Sequence, residues 1–289
     1  MTAIMLKQTR IVPAMEITEG AGVSVNRTIG TPALRNFDPF LMLDHFGSDD
    51  PDEYIAGFPS HPHRGFCTFT YMLDGYVEHK DSMGNTGKLE PGGAQLMKAG
   101  SGVIHSEMPM QENGLMRGFQ LWINLPAANK MDKPGYQEFD SGAFPVVETQ
   151  DHIVRILIGN FADHAAPIID DITGVSYLDV QVKAGRSFQT SLPESNNSFA
   201  YLFEGSGQLN SHHLPINSLI RLGSEDTSFN FIAGDEAARF ILVSGKPIGE
   251  AIVQYGPFVM NTREEIDQAM SDYQSNNFVR DRAWIKNKS

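Results

Sequence analysis

The chain has a single cysteine, Cys67, among its 289 residues, so no internal disulfide can form and the sequence suits a reducing compartment, the cytoplasm. Basic residues are scarce. Lys and Arg number 22 against 35 Asp and Glu, a formal charge of −13, and both halves of the chain are acidic. A surface of that sign repels phosphate, which argues against direct contact with nucleic acid or an anionic membrane. Apolar runs fall far short of the ~20 residues that cross a bilayer. The N-terminal Met-Thr-Ala-Ile-Met-Leu-Lys-Gln-Thr-Arg has no basic stretch leading into an apolar core, so no secretory leader is expected. Gly-x-Ser-x-Gly, the nucleophile elbow of many serine hydrolases, is also absent.

What the chain does have is short apolar strands cut by turns. Phe119, Leu121, Ile123 and Leu125 alternate with Gln120, Trp122 and Asn124, the pattern of a half-buried strand. Ile153 to Ile158, Val175 to Val182, Phe199 to Phe203, Phe229 to Ile232 and Phe240 to Val243 continue that cadence, as Val23 to Ile29 begins it. Pro126 to Gly135 is the best linker candidate, which divides the chain into residues 1–135 and 136–289. One helix is expected. Thr262-Arg263-Glu264-Glu265 is a capping box, and Ile266, Ala269, Met270 and Tyr273 follow on one apolar face. Trp284 and Ile285 suggest that the tail beyond it is tied down.

The chemistry concentrates between His61 and Glu107. His61 with His63, and His105 with Glu107, are spaced i, i+2, which in a strand puts each pair on one face roughly 7 Å apart. Two such strands side by side would gather three imidazoles and a carboxylate. Such a set suits a first-row divalent metal with positions left for water or substrate. A surface loop with two polar histidines, and His105 bonded to Glu107, is the other reading of the same residues. If the strand from His61 is regular, the odd residues Cys67, Phe69 and Tyr71 share the interior with the two histidines. A bulge at Gly65 would turn the thiol the other way. His212 and His213 are adjacent, so they belong to a loop and not to a second site, and residues from about 140 on are expected to be metal-free. His45, His79, His152 and His164 read as surface or satisfied histidines, and Arg64 as an ion-paired strand residue.

Gly57 to Gly75, with its His-x-His, resembles the first cupin motif, and Gly93 through Gly102-Val103-Ile104-His105 the second. His-Pro-His-Arg-Gly-Phe, Asp-Ser-Met-Gly-Asn-Thr-Gly, His-Ser-Glu-Met-Pro, Phe37-Asp38-Pro39-Phe40 and Gly256-Pro257-Phe258-Val259-Met260-Asn261-Thr262 resemble the pirin family. The resemblance runs from about Phe37 to the C-terminal helix. It implies an all-β bicupin: two cupin-type antiparallel β-barrels, an N-terminal metal-binding domain (1–135) and a C-terminal metal-free one (136–289) that carries the short terminal helix. It also implies that His61, His63, His105 and Glu107 are the ligands of one divalent ion per chain. Iron(II) is the family's choice, with Mn, Ni, Cu and Zn as competitors. The implied activity is that of a quercetin 2,3-dioxygenase, opening a flavonol or related enol with O₂, Glu107 doubling as the catalytic base. The alternative it carries is a metal- or redox-responsive regulator that binds a transcription factor or metabolic enzyme. One departure stands out. Cys67 occupies the place, four residues after His63, where cupins and many pirins have a glutamate.

Overall fold

The computed structural model describes residues 10–223 and 226–280. The expectation for Trp284 and Ile285 lies outside them. Among the described residues no helix is long and apolar enough to cross a membrane. Among the described residues the architecture is all-β and antiparallel, with one α-helix of twelve residues, Arg263–Gln274.

The chain divides into two compact units. One is built from Glu16–Gly30, Phe40–Ala143 and the chain from Ile248 on; the other from the chain up to Met15, Thr31–Pro39 and Phe144–Pro247. This is not the linear division at residue 135. Strand Gly135–Phe139 pairs with Ala94–Lys98 and so completes the first unit, while Arg10–Pro13 pairs with Ser218–Leu222 in the second. Each exchanged strand satisfies an edge of backbone N–H and C=O groups that would otherwise stay unpaired. The expected linker is fixed too: Lys130 is 1% exposed, and its Nζ donates to the carbonyls of Gly65 (2.8 Å) and Val259 (3.1 Å) and to Asn124 Oδ1 (2.6 Å).

Each unit is a seven-stranded sheet with a four-stranded sheet, open at the edges where closed barrels were expected. In the first unit the large sheet runs Gly135–Phe139, Ala94–Lys98, Phe66–Asp74, Met116–Asn124, Phe40–Ser48, Val23–Arg27, Met15–Glu19. The small one runs Phe58–His63, Val103–Pro109, Val77–Asp81, Thr86–Leu89. The second unit repeats the plan, its small sheet running Ser187–Ser191, Ser228–Ala233, Gly207–Leu209, His212–Leu214. His212 and His213 therefore sit in a short strand and not in a loop, both exposed. Where the first unit's small sheet carries its histidine pairs, the second carries Phe188 and Phe229, packed with Phe231 and Phe240 at centroid distances of 4.7–6.0 Å. Apolar rings fill that interior, and the hydrophobic effect holds it.

The helix begins as its sequence requires. Thr262 Oγ1 accepts from Glu265 N at 3.2 Å, and Glu265 Oε2 accepts from Thr262 N at 3.0 Å. Ile266 and Ala269 are buried against Phe258, Met260 and Phe278 of the first unit. Tyr273, placed by periodicity on the buried face, is 42% exposed; Asp272 is buried instead, because it meets Arg64.

Candidate metal centre

Three adjacent strands of the small sheet build the site. Val103–Pro109 lies in the middle, and its register sets His105 opposite His61 on one side and opposite Asp81 on the other. His105 and Glu107 are 1% and 4% exposed, whereas the intervening Ser106 is only half-buried, so the i, i+2 pair does share the inner face. A register shift between His105 and Glu107 breaks the pairing with Phe58–His63. Such irregularities re-aim side chains at sheet rims.

The structure brings His61, His63 and His105 together, one nitrogen of each within 4.8 Å of the others. His61 Nε2 and His63 Nε2 are 3.0 Å apart. Two nitrogens each about 2.1 Å from one metal, at a right angle, are separated by about 3.0 Å. His61 Nδ1 donates to the Pro59 carbonyl at 2.8 Å, which leaves the lone pair on Nε2, facing the cluster. Both ring nitrogens of His105 are buried without a hydrogen-bond partner. Burial, and then its histidine neighbours, hold His105 well below the usual imidazole pKa. For His63 burial and then His61 do the same, against an opposing pull from the Pro257 carbonyl. Neutral imidazoles with unused lone pairs are what a metal requires, so the residues fit the group that the sequence implies.

Glu107 lies next to that trio through His105, its neighbour but one on the same strand. It forms a second group, with His105 and His79, whose ligand atoms also lie within 4.8 Å of one another. Its carboxylate is held from the facing sheet. Thr70 donates to Oε1 at 2.9 Å, Gln95 Nε2 also donates to Oε1, and Gln120 Nε2 donates to Oε2 at 2.8 Å. Gln95, Thr70 and Gln120 are direct cross-strand partners, so the three donors form one polar row across the large sheet. A carboxylate has about four lone-pair sites. Oε2 accepts from Gln120 and keeps a lone pair free of these contacts.

Sequence reasoning misplaced three features. His79, read as a surface or satisfied histidine, is fully buried, 5.3 Å from the His105 ring and stacked on Tyr136 at 4.5 Å. The His-x-Asp spacing of His79 and Asp81 was the available signal. Gln120 and Trp122 were taken as the outer face of their strand, yet they look toward the site. Trp122 and Phe66 lie 5.0 Å from the His63 ring and form its aromatic wall. Finally, Cys67 is on the other face. The strand from His61 is not continuous: Gly65 has φ +91° between Phe58–His63 and Phe66–Asp74. Phe66 and Thr70 therefore face the site, and Cys67, buried beside Phe69 and Tyr71 on the odd positions, faces away.

Arg64 anchors the strand end next to His63. It is 1% exposed and donates from Nε to Ser101 O and from Nη1 to Asp272, both at 2.7 Å, with its guanidinium 4.5 Å from the Phe278 ring. It is ion-paired, as its sequence reading held, and the pairing ties the terminal helix to the site.

Two family models match the chain: Pirin over residues 22–123 and the Pirin C-terminal cupin domain over 177–279. A pirin-like protein of Caulobacter vibrioides is 44% identical over 272 residues, covering 93% of this chain and 98% of that protein. Pirin of Homo sapiens is 37% identical, covering 96% of each. Among solved structures, quercetin 2,3-dioxygenase from Acinetobacter baumannii superimposes with a TM-score of 0.86 at 30% identity, over 93% of this chain and 96% of that one. With both family models matched and full-length relatives well above 30% identity, the chain belongs to the pirin family.

Proposed function

We propose that the protein is a mononuclear, metal-dependent dioxygenase of the quercetin 2,3-dioxygenase type, with a flavonol or related enol as substrate and Fe(II) as the ion. His61, His63 and His105 would hold the ion, with Glu107 as the fourth ligand. The observation that carries the reading is the convergence of three imidazoles, two of them at a separation that suits neighbouring positions on one metal. The Acinetobacter baumannii structure named as a quercetin 2,3-dioxygenase supports the choice of reaction.

A bound divalent ion supplies a Lewis acid that can gather an oxygen ligand and O₂ at one place. The remaining work belongs to the chain. Phe66 and Trp122 form an apolar wall that suits a flat ring. Glu107 Oε2 takes the proton of the substrate hydroxyl on its one remaining lone pair. Glu107 would thus serve both as a ligand to the ion and as the base for the substrate hydroxyl. Thr70, Gln95 and Gln120 keep the carboxylate from turning away meanwhile.

The test is O₂ uptake by anaerobically purified, iron-loaded protein against a panel of flavonols and simpler enols. Glu107→Gln at equal iron content should lower turnover about 10²–10⁴-fold, the usual cost of losing a positioned base. Unchanged uptake would remove Glu107 from the mechanism. No uptake with any enol by the loaded wild type would overturn the oxygenase reading in favour of the regulator.

A further inference from the structure

We propose that His79, aimed by Asp81, forms with His105 and Glu107 an alternative seat for the chain's one divalent cation, taken in place of the seat that His61 and His63 share with the same two residues. The inference rests on the reading of this cluster as a metal centre, and is independent of the reaction assigned to it.

The register carries the argument. The small sheet holds three i, i+2 pairs on three adjacent strands: His61 and His63, His105 and Glu107, His79 and Asp81. Glu107 lies directly opposite His79, and His105 opposite Asp81. All four of these side chains are buried, and one ligand atom from each of His79, His105 and Glu107 lies within 4.8 Å of the other two. Two donors on opposite sides of one ion are about 4.2 Å apart, so small side-chain rotations close the set.

His79 is oriented as a ligand would be. Its Nε2 is 3.2 Å from Asp81 Oδ2. Asp81 also accepts from the backbone N–H groups of Met83 (2.9 Å) and Asn85 (3.0 Å) and from Asn85 Nδ2 (2.8 Å). An ionised carboxylate only accepts, so the nitrogen facing it carries the proton and the lone pair falls on Nδ1. That Nδ1 is buried without a partner. Stacking on Tyr136 at 22° fixes the ring plane. A carboxylate–histidine pair with the other nitrogen unused is how metal-binding histidines are commonly held. His105 belongs to both groups and both of its nitrogens lack partners, and with one lone pair on a neutral ring it serves one seat or the other.

Cobalt(II) titration of metal-free protein, read by equilibrium dialysis and by visible absorption, tests this without reference to turnover. The His61→Ala/His63→Ala double variant loses the outer pair and keeps His79, His105 and Glu107. It should still bind one Co(II) per chain, more weakly than wild type. Adding Asp81→Asn should weaken that residual binding about 10–100-fold, and adding His79→Gln should abolish it. A double variant that is folded by circular dichroism yet binds no Co(II) would overturn the proposal, as would residual binding indifferent to His79→Gln. Should the double variant not fold, the His61→Ala single variant serves, because His61 is the least buried of the three. There His79→Gln should cost at least tenfold more affinity than it does in wild type, and an equal cost would contradict the alternative seat. Failure of wild type itself to bind Co(II) would be a different result, sinking the metal reading and this proposal together.

Discussion

Asp272→Ala would leave the Arg64 guanidinium charged, 1% exposed and without its carboxylate. Two backbone carbonyls would remain to it, Ser101 O at 2.7 Å and Phe278 O at 3.4 Å, the second too long to count for much. Breaking one partner out of a buried ion pair costs about 3–5 kcal/mol, because the other charge stays desolvated. Asp272 also accepts from Arg280 at 3.1 Å and from Gln268 at 2.7 Å, so its loss releases the helix as well. For a unit of this size, 3–5 kcal/mol lowers Tm by roughly 6–20 °C. Thermal and urea unfolding of Asp272→Ala should show that drop, with the urea midpoint reduced and the slope unchanged. The pair has an apolar rescue: Arg64→Met/Asp272→Leu should recover most of the loss, since replacing both charges leaves neither one buried alone. Asp272→Ala within about 1 kcal/mol of wild type would refute the claim that the latch holds the His63 strand end. The pH dependence has a definite sign. Burial raises the Asp272 pKa, but hydrogen bonds from Arg64 and Gln268 outweigh it and leave the group below its ordinary value. The pair's stabilisation is therefore present above the unfolded value near pH ~3.9 and is lost as pH falls through the folded one.

Gly65→Ala should disrupt folding or lower the urea midpoint by several kcal/mol equivalent, because an added Cβ would lie 1.9 Å from Val259 O at φ +91°. Cys67→Ala should leave metal content unchanged and cost roughly 1 kcal/mol, and alkylation of the native thiol should be slow with or without metal, as expected of a buried residue that faces away from the site; labelling accelerated by metal removal would contradict this. Burial, and then the nearby charge of Arg117, push His45 down to about 3. The folded protein thus takes no proton there until well below the unfolded value of about 6.5, and that stabilisation is lost as pH falls from 6.5 toward 3. Between pH 7 and pH 4 it amounts to roughly 3 kcal/mol. His45→Phe, stacking on Phe119, should show that much less acid destabilisation in urea titrations at the two pH values, and an unchanged acid slope would count against it.

The histidine pairs and the helix cap were legible because their rules are local. A two-residue repeat fixes a face, and Thr262 finds Glu265 within one turn. Cys67 was misplaced because one left-handed glycine resets that repeat, and Gly65 is needed there by its φ of +91° and by its contact with Val259, far along the chain. The row of Gln95, Thr70 and Gln120 was hidden for a related reason. An alternating strand is ordinarily read as having one wet face and one dry face, but here the polar face looks into the protein, where Glu107 supplies the partner. His79 gave a signal of its own, the His-x-Asp spacing, but only pairing with Val103–Pro109 reveals that it lies opposite Glu107. Asp272 sits on what periodicity marks as the polar face of its helix, and nothing near it in sequence announces Arg64. The exchange of Arg10–Pro13 and the terminal helix between the halves is likewise a matter of long-range pairing.

The most direct test of the central claim is metal analysis of protein purified anaerobically, wild type beside the His61→Ala/His105→Ala variant. The account predicts one first-row divalent ion per chain in the wild type and its loss from the folded variant. Undiminished metal in that variant would contradict it.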